Sequence, residues 1–223
     1  MVEGTVGVLQ AALDAVAAEP SFHFDMNAEL SVDAQGISLD IPLTISGAFL
    51  APDRFQGTME LKIFFFTIET EIITIGDTTW TKDPETGEWS VSSGGDPTEV
   101  IPSDPGSFTE LDVALFKGLT SLGEVELNSA PATHLRGTAA EGTFGADTGE
   151  FEVDFWVDSA TGLLVQLVAS GELTVQPGDD PDSQSEGLFG AAAGQTGWLS
   201  LAVGFSDFGK PVTIEPPVVA SGP

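Results

Sequence analysis

Two adjacent runs with a strict period of two constrain this chain more than any other feature. From Ser21 onward, Phe22, Phe24, Met26, Ala28, Leu30 and Val32 alternate with His23, Asp25, Asn27, Glu29, Ser31 and Asp33. After Ala34-Gln35-Gly36 the pattern returns, with Ile37, Leu39, Ile41, Leu43 and Ile45 set against Ser38, Asp40, Pro42, Thr44 and Ser46. Successive side chains of a strand point to opposite faces, so each run is a long strand with one oily and one wet side. The short turn pairs them as an antiparallel hairpin over about 21–33 and 37–50, with Phe24, Met26, Leu39 and Ile41 on the covered face. A slip of one residue would put every apolar side chain into water, which pins the register. Pro42 has no N–H to donate, so its donor side belongs at an edge or bulge.

Ahead of the hairpin, Val6, Leu9, Leu13 and Val16 recur at spacings of three and four before Pro20, which predicts one amphipathic helix over 1–19. Behind it, strands are expected at about 54–66, 67–75, 78–83 and 88–92, turned by Gly76-Asp77 and by Asp83-Pro84-Glu85-Thr86-Gly87. Residues 93–107 read as a long loop. Ser107 then caps an expected second helix whose Phe108, Leu111, Leu115, Leu119 and Leu122 fall within about 80° of one another. Strands resume at about 124–138, 150–158, 163–175 and 196–206. Asp158-Ser159-Ala160-Thr161-Gly162 forms a turn, and 176–195 is a loop too long for a tight one.

Two helices cannot cover both faces of about ten or eleven antiparallel strands, so the expected fold is mainly β (α+β), with the helices packed on one face of a strongly curved sheet. A length of 223 residues suits a single domain over 1–223. Such a sheet encloses volume, and barrel-like mouths commonly hold ligands. The candidate lining is Phe24, Met26, Leu30, Leu39, Ile41, Leu43, Met59, Leu61, Phe65, Leu111, Leu115, Leu119 and Phe155. The pattern leaves open which of these line a cavity and which are plain core.

Composition removes several classes of function. Acidic residues number 35 and basic ones 6, giving a formal charge of −29. The six cations are widely spaced along the chain, which excludes nucleic acid as a partner and leaves no polybasic patch for anionic headgroups. There is no Cys, hence no disulfide framework, thiolate-held metal or thiol nucleophile. No run of about 18 apolar residues is present to span a bilayer, and the start, Met1-Val2-Glu3-Gly4, lacks a basic n-region, so the chain reads as soluble. No Gly-x-Ser-x-Gly elbow marks a hydrolase. His23 and His134 read as structural histidines, and Asp179, Asp180, Asp182 and Glu186 lack calcium-loop spacing and read as a solvated acidic loop. Neither a cofactor nor a metal is expected. Phe64-Phe65-Phe66 has two readings, a ring buried in the core or an apolar lip that touches lipid, because alternation turns at least one ring away from the inner face.

Four segments carry a family resemblance. Trp80-Thr81-Lys82-Asp83-Pro84-Glu85-Thr86-Gly87-Glu88-Trp89, Thr133-His134-Leu135-Arg136-Gly137, Val153-Asp154-Phe155-Trp156-Val157-Asp158 with Thr161-Gly162-Leu163-Leu164, and Phe205-Ser206-Asp207-Phe208-Gly209-Lys210-Pro211-Val212 resemble, in order and spacing, the LppX/LprG lipoproteins of bacterial cell envelopes. The resemblance implies a LolA-like fold, a curved antiparallel half-barrel closed by helices. It also implies a non-enzymatic function: binding acyl lipids or lipoglycans in a hydrophobic cavity and carrying them through the envelope. A monomer in transient contact with membrane is expected. The location implied is extracytoplasmic. The family's secretory signal and lipid-modified Cys are not among these residues, so an anchor would belong to a longer precursor. The alternative function is an envelope sensor or protein-interaction module that uses the same half-barrel without carrying lipid.

Overall fold

The computed structural model describes residues 2–34, 37–63, 65–93, 111–144, 148–174 and 196–218. One helix, α1 (Val2–Ala17), precedes eleven strands: β1 (Ser21–Ala34), β2 (Ile37–Leu50), β3 (Arg54–Ile63), β4 (Phe66–Ile75), β5 (Thr78–Lys82), β6 (Trp89–Ser93), β7 (Phe116–Leu127), β8 (Ala130–Ala139), β9 (Thr148–Asp158), β10 (Leu164–Thr174) and β11 (Thr196–Ser206). All lie in a single antiparallel sheet in the order β6-β5-β4-β3-β2-β1-β11-β10-β9-β8-β7. The first and last strands thus join at the centre, where Phe24 faces Phe205 and Met26 faces Val203, and each meander runs outward from that seam.

The β1–β2 hairpin has the register that the alternation demands: Met26 opposes Ile45, Leu30 opposes Ile41 and Val32 opposes Leu39. Phe24, Met26 and Ile41 are buried, whereas Asp25 and Glu29 are exposed. Pairing of β2 with β3 ends at Leu43–Leu61, one residue short of Pro42, so the missing N–H falls where the ladder has stopped. Both sequence-predicted Asp-x-x-Thr-Gly turns are built alike. Asp83 Oδ1 accepts from the N–H groups of Glu85 and Thr86, and Asp158 Oδ1 from those of Ala160 and Thr161; the threonine hydroxyls donate to the same carboxylates.

Helix α1 buries Leu9, Ala12, Leu13 and Val16 against β7, β9 and β10. The second helix expected over 107–122 is absent from its described part. Val113–Leu115 is a single 3₁₀ turn, and Phe116–Leu127 is the edge strand β7. The apolar spacing that resembles a helix stripe comes from two irregularities in β7, between Lys117 and Thr120 and between Ser121 and Gly123. Gly118 and Gly123 take φ of 61° and 100° there, and each inserted residue stretches the period of two to three. The single strand expected at 124–138 is likewise two, turned at Asn128-Ser129, where both residues have positive φ as a two-residue hairpin requires. Ser93 closes β6. The rest of the loop expected to 107, Ser107, Phe108, Phe64 and the 176–195 loop lie outside the described residues.

Curvature comes from glycines on the inner face with large side chains folded over them. A Cβ on Gly57 would stand 2.5 Å from the Ser46 carbonyl oxygen and 2.8 Å from the Phe55 ring; on Gly171, 2.5 Å from the Phe151 ring; on Gly137, 2.9 Å from Leu119. Gly57→Ala should therefore lower stability by about 1–3 kcal/mol. Gly204→Ala, on the outer face with its nearest neighbour at 3.9 Å, should change it by less than ~0.5 kcal/mol. Paired urea-unfolding curves check this, and equal effects would refute the assignment of curvature to the inner glycines.

Candidate functional site

Strand parity sorts the inner face into two wings. Under α1, Phe155, Leu119, Leu135, Val153 and Leu167 are at most 1 % exposed, and Phe116 meets Phe155 edge-on at 5.1 Å. This wing is solid. On β1–β4 the packing changes along the strands. At the end where β1 begins, Phe22 stacks on Phe49 at 5.0 Å and touches Phe205 edge-on at 5.7 Å, while Phe24 lies 5.4 Å from Phe55. These rings close that end of the half-barrel.

Toward the other end the face becomes aliphatic. Met26, Ile41 and Ile45 are buried and Leu30 is 9 % exposed, but Leu39, Leu43, Met59, Leu61 and Ile72 are only partly buried. The register brings them side by side, Leu43 opposite Leu61, Ile45 opposite Met59, and Leu61 opposite Ile68. The result is an aliphatic trough with a ring-filled floor, open at the rim that carries the β1–β2 and β3–β4 turns. Its flank is hydroxyl-bearing and uncharged. Thr74 and Thr79 pair at 3.2 Å, and Thr70 donates to the Lys82 carbonyl. An apolar concave surface of this kind can hold methylene chains, each methylene contributing about 0.8 kcal/mol on burial.

Of the sequence-predicted lining, Phe24, Met26, Leu30, Leu39, Ile41, Leu43, Met59 and Leu61 come together on β1–β3, whereas Leu119 and Phe155 belong to the solid wing. Leu111 is half-buried against the core. Leu115, expected on a movable helix, instead ends the 3₁₀ turn and is 39 % exposed. Phe65 stands at the β3–β4 turn, 98 % exposed, because the chain reverses there before any neighbouring strand can cover it. Ile72, missing from the predicted lining, sits opposite Gly57; it continues the period of two from Ile68 and was legible on that ground.

The outer face is polar. Residues Val212, Thr213 and Ile214 cross it, and Arg54 donates to the Ile214 carbonyl at 3.1 Å. Beneath them is a cleft of about 490 Å³ of mixed lining, with His23, Asp25, Gln56 and Glu71 beside Ala48, Val212 and Ile214. Farther along, Asp154 accepts from Arg136 Nε at 2.8 Å and from Arg136 Nη2 at 3.1 Å, with His134 Nε2 2.5 Å away. The His134 ring stacks on Trp156 at 4.6 Å. Burial works to raise the Asp154 carboxyl, but the hydrogen bonds from Arg136 and His134 outweigh it and hold the group below the ordinary aspartate range. These contacts knit β8 to β9.

A depressed carboxyl contributes stability that is present above its unfolded pKa, about 3.9, and is lost as pH falls through the lower folded value. Asp154→Asn should cost about 1–3 kcal/mol at pH 7 and progressively less below about pH 4, measured as urea-unfolding differences between wild type and variant. A difference that stays constant from pH 7 to pH 2.5 would contradict the assignment.

No protein-family model matches the chain, and no curated protein sequence matches it. Solved structures do match. The Mycobacterium tuberculosis lipoprotein LppX is similar over 96 % of this chain and 100 % of its own, with 16 % identity and a TM-score of 0.59. LprF from Mycobacterium bovis is similar over 96 % of this chain and 97 % of its own, with 16 % identity and a TM-score of 0.57. The resemblance read from the four sequence segments thus holds at the level of fold: this chain has the open, eleven-stranded antiparallel half-barrel of the LppX and LprF lipoproteins, with one α-helix among the described residues.

Proposed function

We propose that the protein binds acyl lipids or lipoglycans in the trough on β1–β4 and carries them through a bacterial cell envelope without chemical change. One observation carries the reading: the inner face of β1–β3 is apolar, and while the wing under α1 is fully buried, Leu39, Leu43, Met59, Leu61 and Ile72 are only half-buried. A hydrocarbon chain laid along them would remove that surface from water, the term that drives acyl binding. The shared fold of two mycobacterial lipoproteins supports an extracytoplasmic setting. Among the described residues no helix is long and apolar enough to cross a membrane. The transfer needs no catalytic group, and the reading assigns none.

Leu61→Trp should occupy the trough, reducing uptake of a fluorescent fatty-acyl probe at least about fivefold while leaving stability within ~1 kcal/mol, because the site is half-open. Leu167→Trp, in the solid wing, should do the reverse: it overpacks, costs about 1–3 kcal/mol or more, and leaves the probe affinity of the remaining folded protein unchanged. Probe titration with parallel thermal unfolding checks both. Absence of probe uptake by the wild type, together with an organic extract of the purified protein free of stoichiometric acyl lipid, would overturn the carrier reading.

A further inference from the structure

Among the described residues, the large exposed hydrophobics stand singly along the chain with one exception, Phe65-Phe66, which are 98 % and 74 % exposed. They form the tip of the β3–β4 hairpin, where Phe66 opposes Ile63, beside the open rim of the trough. Phe66 keeps the strand parity of Ile68 and Ile72 and so continues the trough's own face out to the rim. The charge around the tip is also exceptional. In a chain with 35 acidic and 6 basic residues, Lys62 is the sole charged residue between Leu61 and Ile68; its side chain is 56 % exposed and its ammonium lies 2.7 Å from Glu60.

We infer that this tip is where the protein rests on a phospholipid bilayer, Phe65 and Phe66 entering the boundary between headgroups and acyl chains while Lys62 reaches the phosphate level. Aromatic rings favour that boundary, and a lysine stem lies along apolar surface with its charge at the polar edge. A protruding wedge has no groove to receive a peptide, and two bare rings on a charged, soluble surface are stabilised by leaving water. The net charge of −29 selects among membranes: it repels an anionic surface, so docking through an apolar tip suits zwitterionic headgroups. This inference rests on the carrier reading only for its purpose, the delivery of an acyl chain from bilayer to rim; the contact itself stands or falls alone.

Flotation of the full chain with dioleoylphosphatidylcholine vesicles tests it. The wild type should float, Phe65→Ser/Phe66→Ser should partition at least about tenfold more weakly, and replacing a quarter of the lipid by phosphatidylglycerol should weaken wild-type binding at low salt but not at high salt. Phe65→Trp should gain fluorescence quenching by brominated phosphatidylcholine beyond that of the four native Trp residues. Uptake of the soluble acyl probe by Phe65→Ser, whose ring has the strand parity opposite to the trough's face, should match wild type, and a wild type that floats but takes up no probe would remove the carrier reading and leave the tip in place. Equal flotation of wild type and the double variant, or no flotation of either, would overturn the inference, as would concentration-dependent self-association that the serine pair abolishes without any vesicle binding.

Discussion

The structure depends on a mismatch between the width of its sheet and the size of its helix. Eleven strands at a spacing of about 4.8 Å make a sheet roughly 50 Å across, apolar on one face nearly throughout. Helix α1, with 16 residues, is about 24 Å long and about 10 Å wide. It packs against β7, β9 and β10, and curling of the sheet toward itself removes more of the remaining oily surface from water. Inner-face glycines allow the curl. At Gly57 and Gly171 the rings of Phe55 and Phe151 stand within 2.8 Å of where a Cβ would lie, so no side chain fits there.

Curling fills the half-barrel unevenly, and this unevenness is the functional argument. Phenylalanines crowd the end where β1 starts, with ring contacts at 5.0–5.7 Å among Phe22, Phe24, Phe49, Phe55 and Phe205. Farther along the same strands the side chains are Leu, Ile and Met, which adapt to a flexible chain better than stacked rings do. The solid wing under α1 fixes the shape, the phenylalanine floor closes one end, and the aliphatic stretch of β1–β4 is left half-covered at the rim. On the outer face Asp154, Arg136 and His134 tie β8 to β9, and residues 212–214 lie across β2–β4.

Much of this was legible in the sequence wherever one period ran unbroken. The alternation from Phe22 to Ile45 determined both faces and the register of the central hairpin, and the two Asp-x-x-Thr-Gly turns marked two more hairpins. Reading failed where backbone irregularity changed the period. Bulges at Gly118 and Gly123 spaced Phe116, Leu119 and Leu122 like a helix stripe; the glycines themselves were the warning, since each costs a helix interior about 1 kcal/mol. Asn128-Ser129 was a turn signal hidden in a run taken as one strand. The division of the apolar face into a filled and a half-filled wing was not legible, because it depends on where α1 lies across the sheet, and Leu43 and Leu167 look alike to a hydropathy pattern. Phe65 illustrates the same limit: a ring at a hairpin end is core or tip according to what covers it.

The central claim is that an acyl chain lies along the β1–β4 trough. Photolysis of the purified protein with a fatty acid carrying a diazirine near its methyl end, followed by peptide mass spectrometry, tests it most directly. The account predicts adducts concentrated on Leu39, Leu43, Met59, Leu61 and Ile72, competed away by unlabelled fatty acid. Adducts on the polar outer face around His23 and Gln56, or labelling spread over the chain that unlabelled fatty acid does not reduce, would contradict it.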